Sequence, residues 1–199
     1  MPTGTPSPLF DETRRRVMEA VRRVGGTAGH AVSAIREAVS AAMQDPRAAR
    51  TQLRERITDC VSAAAAAART AGCRARDTVH GAMLGAMHGA KLEHAWATDT
   101  VESVSASLVR CAVVDRRDVE IVVHEAIESA IEAAHELSFC AEEAAAAAAR
   151  GAVRAASELG PEMQKAVWSA LPQHVKGVHV VRPEPCNLAA VGGDNGGTQ

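Results

Sequence analysis

The chain has 199 residues, a net charge of −2, 47% apolar residues and 2% aromatics, with no Tyr. That apolar share is normal for a globular protein and excludes a wholly disordered chain. So few aromatics leave almost nothing to stack on single-stranded bases, which argues against nucleic acid as a partner. The charge is uneven: residues 1–80 carry 13 Lys/Arg against 8 Asp/Glu, and residues 81–199 carry 9 against 16. A basic front half and an acidic rear half can pair within one chain or between copies.

Most of the apolar residues are alanine, the best helix former but a poor source of buried area. Helices should form easily and be held by many close contacts rather than by a bulky core. Cys60, Cys73, Cys111, Cys140 and Cys186 form no CxxC pair. Four of them fall in helical segments, where Cys acts as a small apolar residue in a reducing compartment. The N-terminus has no signal-peptide h-region. The most apolar stretch, residues 79–97, contains His80, His88, Lys91 and Glu93 and makes a poor membrane span. A cytoplasmic protein is expected.

In chain order, residues 1–10 read as a flexible N-terminus, 11–171 as an alanine-rich helical domain and 172–199 as a flexible tail. The first helix is clearly amphipathic. Phe10, Val17, Val21 and Val24 fall within about 60° of one another, with Arg15, Arg16, Arg22 and Arg23 opposite. Such a face suits an anionic interface. It suits better an end-capping helix that docks its stripe and leaves its Arg in water.

From there a period of 22 residues runs through the domain, in units beginning at Pro6, Ala28, Arg50, Gly72, His94, Arg116, Ser138 and Gly160. The eighth position reads Thr13, Ile35, Ile57, Val79, Val101, Val123, Ala145, Val167. The twelfth reads Val17, Val39, Val61, Met83, Ser105, Ile127, Ala149, Leu171, and the sixteenth Val21, Met43, Ala65, Met87, Val109, Ile131, Val153, Val175. Any long amphipathic helix shows part of this agreement, because 22 residues make nearly six turns. Breaks recurring near the unit boundaries go further, as do words repeated in register, such as Gly85-Ala-Met87 and Gly151-Ala-Val153. Asp11, Asp45 before Pro46 and Asp99 read as helix starts, Asp115 or Arg117-Asp118 opens the next helix, and Gly160-Pro161 reads as a stop and a start. Asp45-Pro46 falls inside a unit, so the front half departs from the strict period, and one long helix is expected from about Pro46 to Ala71 or further. A stripe of small residues adjoins the branched one, so each helix should touch neighbours on two sides. The fold expected is all-α: an antiparallel helical bundle or stacked array of 22-residue repeats.

Gly81, Gly85 and Gly89 form a GxxxGxxxG run. Without an apolar span around it, this marks close packing of helices rather than a membrane dimer. His80, His88 and His94 surround Met83 and Met87, which lie in the core columns and read as packing rather than as soft-metal ligands. The most chemical-looking arc is His124, Glu128 and His135, with Glu132 beside it. Glu132-Ala-Ala-His135 has the Glu-x-x-His spacing of di-metal carboxylate bundles, but no second copy exists and the arc lies on the polar side. In the tail, residues 178–181 form a short β-like run that reads as loose chain.

No phosphate loop, GxSxG elbow or dinucleotide fingerprint is present. An enzyme is not expected, and no cofactor is implied. The sequence favours a scaffold that self-associates, packs on partner helices or coats an apolar surface. Punctuated 22-residue amphipathic units resemble those of exchangeable apolipoproteins in pattern, which implies a lipid coat. The second, small-residue stripe and the scarcity of Lys at the polar boundary depart from that pattern and favour protein packing. The alternative is a metal-binding bundle using His124, Glu128, Glu132 and His135.

Overall fold

The structure is a computed structural model that describes residues 7–23, 28–44, 53–92, 97–114 and 118–183. These form eight helices followed by a small hairpin: α1 (Pro8–Arg23), α2 (Ala28–Met43), α3 (Leu53–Thr70), α4 (Ala75–Leu92), α5 (Ala97–Val114), α6 (Val119–Leu137), α7 (Ala141–Leu159), α8 (Pro161–Ala170), β1 (His174–Val175) and β2 (Val178–His179). Each 22-residue unit supplies one helix, which starts no more than three residues after the unit does.

The helices stack in two layers. The odd-numbered ones, α1, α3, α5 and α7, pack side by side in one layer, and α2, α4, α6 and α8 in the other. Within a layer the helices run parallel, because their contacts keep a constant sequence separation. Ser107 Oγ meets Thr58 Oγ1, and Cys111 Sγ meets Ser62 Oγ, both 49 residues apart. Arg110–Glu158 and His88–Glu136 are 48 apart. The structural repeat is therefore a helix pair of 44 residues, twice 22. The excess of 48 − 44 = 4 residues staggers each pair by about one helical turn, ~6 Å, against the previous one. Of the two architectures expected, the stacked array is the one formed.

The core follows the three apolar columns. Every residue at the eighth, twelfth and sixteenth positions is at most 8% exposed, from Thr13 to Val175. The small-residue stripe sets how closely the layers' members approach. A Cβ built at Gly85 of α4 would lie 2.6 Å from the Arg36 carbonyl oxygen of α2, and those at Gly81 and Gly89 would crowd Ile35 and Met43. A Cβ at Gly151 of α7 would run into the Glu102 carbonyl of α5. The two sites are the same contact three units apart: Gly85 and Gly151 differ by 66 residues, and so do Arg36 and Glu102. Arg150 and Arg154 on α7 also hold the Glu102 carboxylate, clamping the pair.

Several helix ends differ from the sequence reading. Ser7, rather than Asp11, caps α1: its Oγ accepts the Phe10 N–H at 3.1 Å, and Asp11 sits in the first turn. Asp99 likewise lies inside the first turn of α5. Asp118 does cap α6, accepting the Glu120 N–H, and Ser138 ends that helix in the left-handed region at φ 61°. Of the helix expected from Pro46 to Ala71, the structure describes Leu53–Thr70, and Asp45 and Pro46 lie outside the described residues.

The N-terminal and tail boundaries also move. Helix begins at Pro8, within the segment read as flexible. The stretch after Leu171 is not loose up to residue 183, because β1 and β2 pair antiparallel with Val175 opposite Val178. The two residues between them, Lys176 (φ 49°) and Gly177 (φ 81°), both have positive φ, the requirement of a type I′ turn. Val175 and Val180 enter the core, and the hairpin packs on α7. The β-like run thus finds its partner strand in its own chain.

Gly151→Ala tests the close approach. In a free helix, alanine would stabilise by about 1 kcal/mol. Here the Cβ meets rigid backbone, and overpacking of this kind costs about 1–3 kcal/mol. The expected outcome is a melting temperature lower by about 3–6 °C, followed by circular dichroism. A rise would mean that α5 and α7 are not in backbone contact.

Candidate functional site

Polar groups concentrate where α6 faces α4, beneath the hairpin turn. Glu125, Glu128 and Glu132 project from α6 at helical spacing. Arg76 of α4 reaches two of them, at 3.1 Å from Glu125 and 3.3 Å from Glu128. Lys176, aimed downward by its left-handed backbone, pairs with Glu128 at 3.0 Å and with Glu132. His80 of α4 adds its Nδ1, 3.2 Å from Glu132 and 3.1 Å from the buried Ser129 hydroxyl. A cavity of about 110 Å³ lies among these side chains.

Electrostatics separate two of the glutamates, although both side chains are 13% exposed. Burial pushes the Glu125 carboxyl above the ordinary glutamate range, ahead of the opposing pull of Arg76. Burial also acts on Glu128, but the Lys176 hydrogen bond and the charges of Lys176, Arg76 and His124 outweigh it and hold that carboxyl below the ordinary range. Hydrogen bonds to Glu132 and Glu128 in turn raise the Lys176 ammonium. The chemistry built here is a charge-compensated latch between α4, α6 and the hairpin.

The arc expected to hold a metal is only partly assembled. His124, Glu125 and Glu128 bring ligand atoms within 4.8 Å of one another, with His124 Nδ1 3.8 Å from Glu128. Glu132 turns to Lys176 and His80 instead, and His135 is exposed and outside this group. The Glu-x-x-His pair therefore does not converge on one ion, because a cation from the hairpin claims its carboxylate. A metal at His124 would also have to displace Arg76 from both glutamates.

Catalytic geometry is not formed at His80 either. A serine relay uses the two ring nitrogens for different partners, whereas Ser129 and Glu132 meet the same Nδ1. His88 engages a different carboxylate, Glu136, at 3.4 Å, and Met83 and Met87 are buried. His94 lies outside the described residues. Burial pushes the Cys60 thiol up to about 11, away from the thiolate form.

The residues expected to make contacts face inward. Val17 and Val21 are buried in the core, Phe10 is half-buried, and Val24 lies outside the described residues. Arg15 and Arg16 are tied to Glu12, and Arg15 also to Glu19, within α1 itself. Helix α1 thus docks as an end cap, as preferred above. Gly81, Gly85 and Gly89 pack against α2 and present no surface to a partner. What the sequence reading missed is Lys176, Arg76 and a groove over α1, α3 and α5. The groove encloses about 260 Å³ between Phe10 and Val114 over Ala65 and Ala66, with Arg69 and Arg110 beside it. The hairpin did leave a signal, Lys176-Gly177 between two valines.

The latch makes opposite predictions for two neighbouring glutamates. Glu128 titrates below the ordinary value in the fold, so its stabilisation is present above about pH 4.3 and lost as pH falls through the lowered value. Glu125 titrates above it, so its contribution favours the acid side and is lost as pH rises through the raised value. At pH 7, Glu128→Gln should lower the melting temperature, and Glu125→Gln should leave it unchanged or raise it. Both differences should shrink towards pH 3. Two equal losses at pH 7 would contradict this electrostatic picture.

No family model matches the chain, and no curated protein is similar to it. Among solved structures, the chain is similar to a de novo designed helical repeat protein, DHR7. The TM-score is 0.54 at 19% identity, covering 84% of this chain and 92% of that one. At that identity the likeness is one of fold: this chain is an all-α helical repeat array like DHR7.

Proposed function

We propose that the chain is a non-enzymatic interaction scaffold, a rigid array that self-associates or packs on partner helices. The observation that carries this reading is the groove over α1, α3 and α5. There the array leaves an apolar, alanine-floored depression beside Val114, which is 77% exposed. The depression is sized for a single partner side chain rather than for an extended apolar face. Repeat arrays suit such work, since each added pair extends a surface without altering the core. The conspicuous His, Glu and Arg side chains support the same reading, because ion pairs inside the fold already engage them. The docked stripe of α1 argues against a lipid-coat variant, which would need that stripe in the membrane interface. Among the described residues, no helix is long and apolar enough to cross a membrane.

The convergence of His124, Glu125 and Glu128 favours a second reading, a weak divalent-cation site. Native mass spectrometry of the full chain separates the two. The scaffold reading expects a metal-free assembly larger than one chain. A monomer carrying one transition metal would reverse the preference.

A further inference from the structure

The groove has a stated size and chemistry, and the same chain carries a feature that matches both. A cavity of about 150 Å³ is enough to hold benzene, so 260 Å³ takes one aromatic ring with its stem. Phe10 and Val114 form its apolar walls, Ala65 and Ala66 its floor, and Arg69 and Arg110 its basic rim. Arg110 already meets Glu158 of α7 at 2.7 Å on a side half open to water. Exposed pairs of that kind hold by little and exchange readily.

The corner between α6 and α7 offers the complement. Phe139 follows the left-handed Ser138, and its N–H closes the helix end on the Ala134 carbonyl at 2.8 Å. Its residue remains 38% exposed. Glu142 and Glu143 stand exposed on the first turn of α7 just beyond it, with Glu136 just before. An aromatic flanked by three carboxylates thus faces outward at the α6–α7 corner, and the aromatic-sized, Arg-rimmed groove lies over α1, α3 and α5. One chain cannot satisfy both. Helix α5 ends at Val114, and α6 then runs the other way for 19 residues, about 28 Å, before reaching the corner.

We propose that the groove receives the Phe139 corner of a second copy of this chain, with Glu142 and Glu143 reaching Arg110 in exchange for Glu158. The inference rests on the scaffold reading and names its partner. The contact is heterologous, since groove and corner are different surfaces, so each bound copy still offers one of each and assembly proceeds head to tail. A single aromatic anchor with a charged rim gives weak association, on the order of micromolar.

Sedimentation velocity on the full chain at about 100 µM tests it. Wild type should sediment as assemblies larger than a monomer. Phe139→Ser removes the anchor and Ala66→Leu fills the groove, and each should weaken association by at least about tenfold. Glu142→Lys with Glu143→Lys, a change confined to exposed positions, should do the same without touching the helix corner. Mixing Phe139→Ser with Ala66→Leu should restore dimers and nothing larger, because one intact groove then meets one intact corner. Assemblies unaffected by all three variants, or a mixture that stays monomeric, would overturn this contact and leave the scaffold reading standing. A monomeric wild type would overturn this contact and the self-associating form of the scaffold reading, and leave packing on partner helices of other chains.

Discussion

At Gly151 the surface of α7 lies directly on the Glu102 carbonyl of α5, and at Gly85 the same is true of α4 and Arg36 of α2. That bare approach is the constraint on which the rest depends. A chain with 2% aromatics cannot fill wide gaps between helices, so stability has to come from dispersion between many atoms at close range. Glycine, alanine and serine along one stripe permit it, and the branched columns then close the space between the layers. Because parallel second neighbours make the tightest contacts, the stagger of one turn per pair is carried along the array. It places His88, Arg110 and Arg154 opposite partners 48 to 52 residues away.

Much of this was legible in the residues. Thr13 and Ser105 break the apolar run of their columns, yet they occupy core positions as fully as Ile35 or Ile127, and the period alone placed them there. What the period could not reveal is which helix packs on which, since a 22-residue repeat reads the same whether the next neighbour or the next but one lies alongside. The GxxxGxxxG run signalled close packing without naming α2 as its partner. Helix starts were misplaced at Asp11 and Asp99 because an acidic residue in the first turn gains from the helix dipole much as a cap does. The hairpin was missed for a different reason. Its two-residue strands are too short for alternation to register, and only Lys176-Gly177 marked the turn.

The His and Glu arc on α6 shows the same limit at the level of chemistry. Spacing put His124 and Glu128 on one face, and they do lie together. Their surroundings come from elsewhere in the chain: Arg76, 52 residues before Glu128, and Lys176 from the hairpin, 44 residues after Glu132. Those cations turn an acidic face that would attract metal into a latch that fastens the end of the array. The proposed interaction surface therefore shifts away from the most polar residues to one of the plainest, the alanine floor over α3. A run such as Ala63 to Ala68 carries no motif, and its groove exists only because α1 and α5 raise walls on either side.

The two-layer arrangement is tested most directly by a disulfide between second-neighbour helices. Cys111 Sγ of α5 lies 3.7 Å from Ser62 Oγ of α3. In a Ser62→Cys variant under mild oxidation, peptide mapping should recover residues 62 and 111 joined within one chain. Absence of the 62–111 link, with position 62 left unpaired or joined only between chains, would mean that α3 and α5 do not lie side by side and would contradict the account.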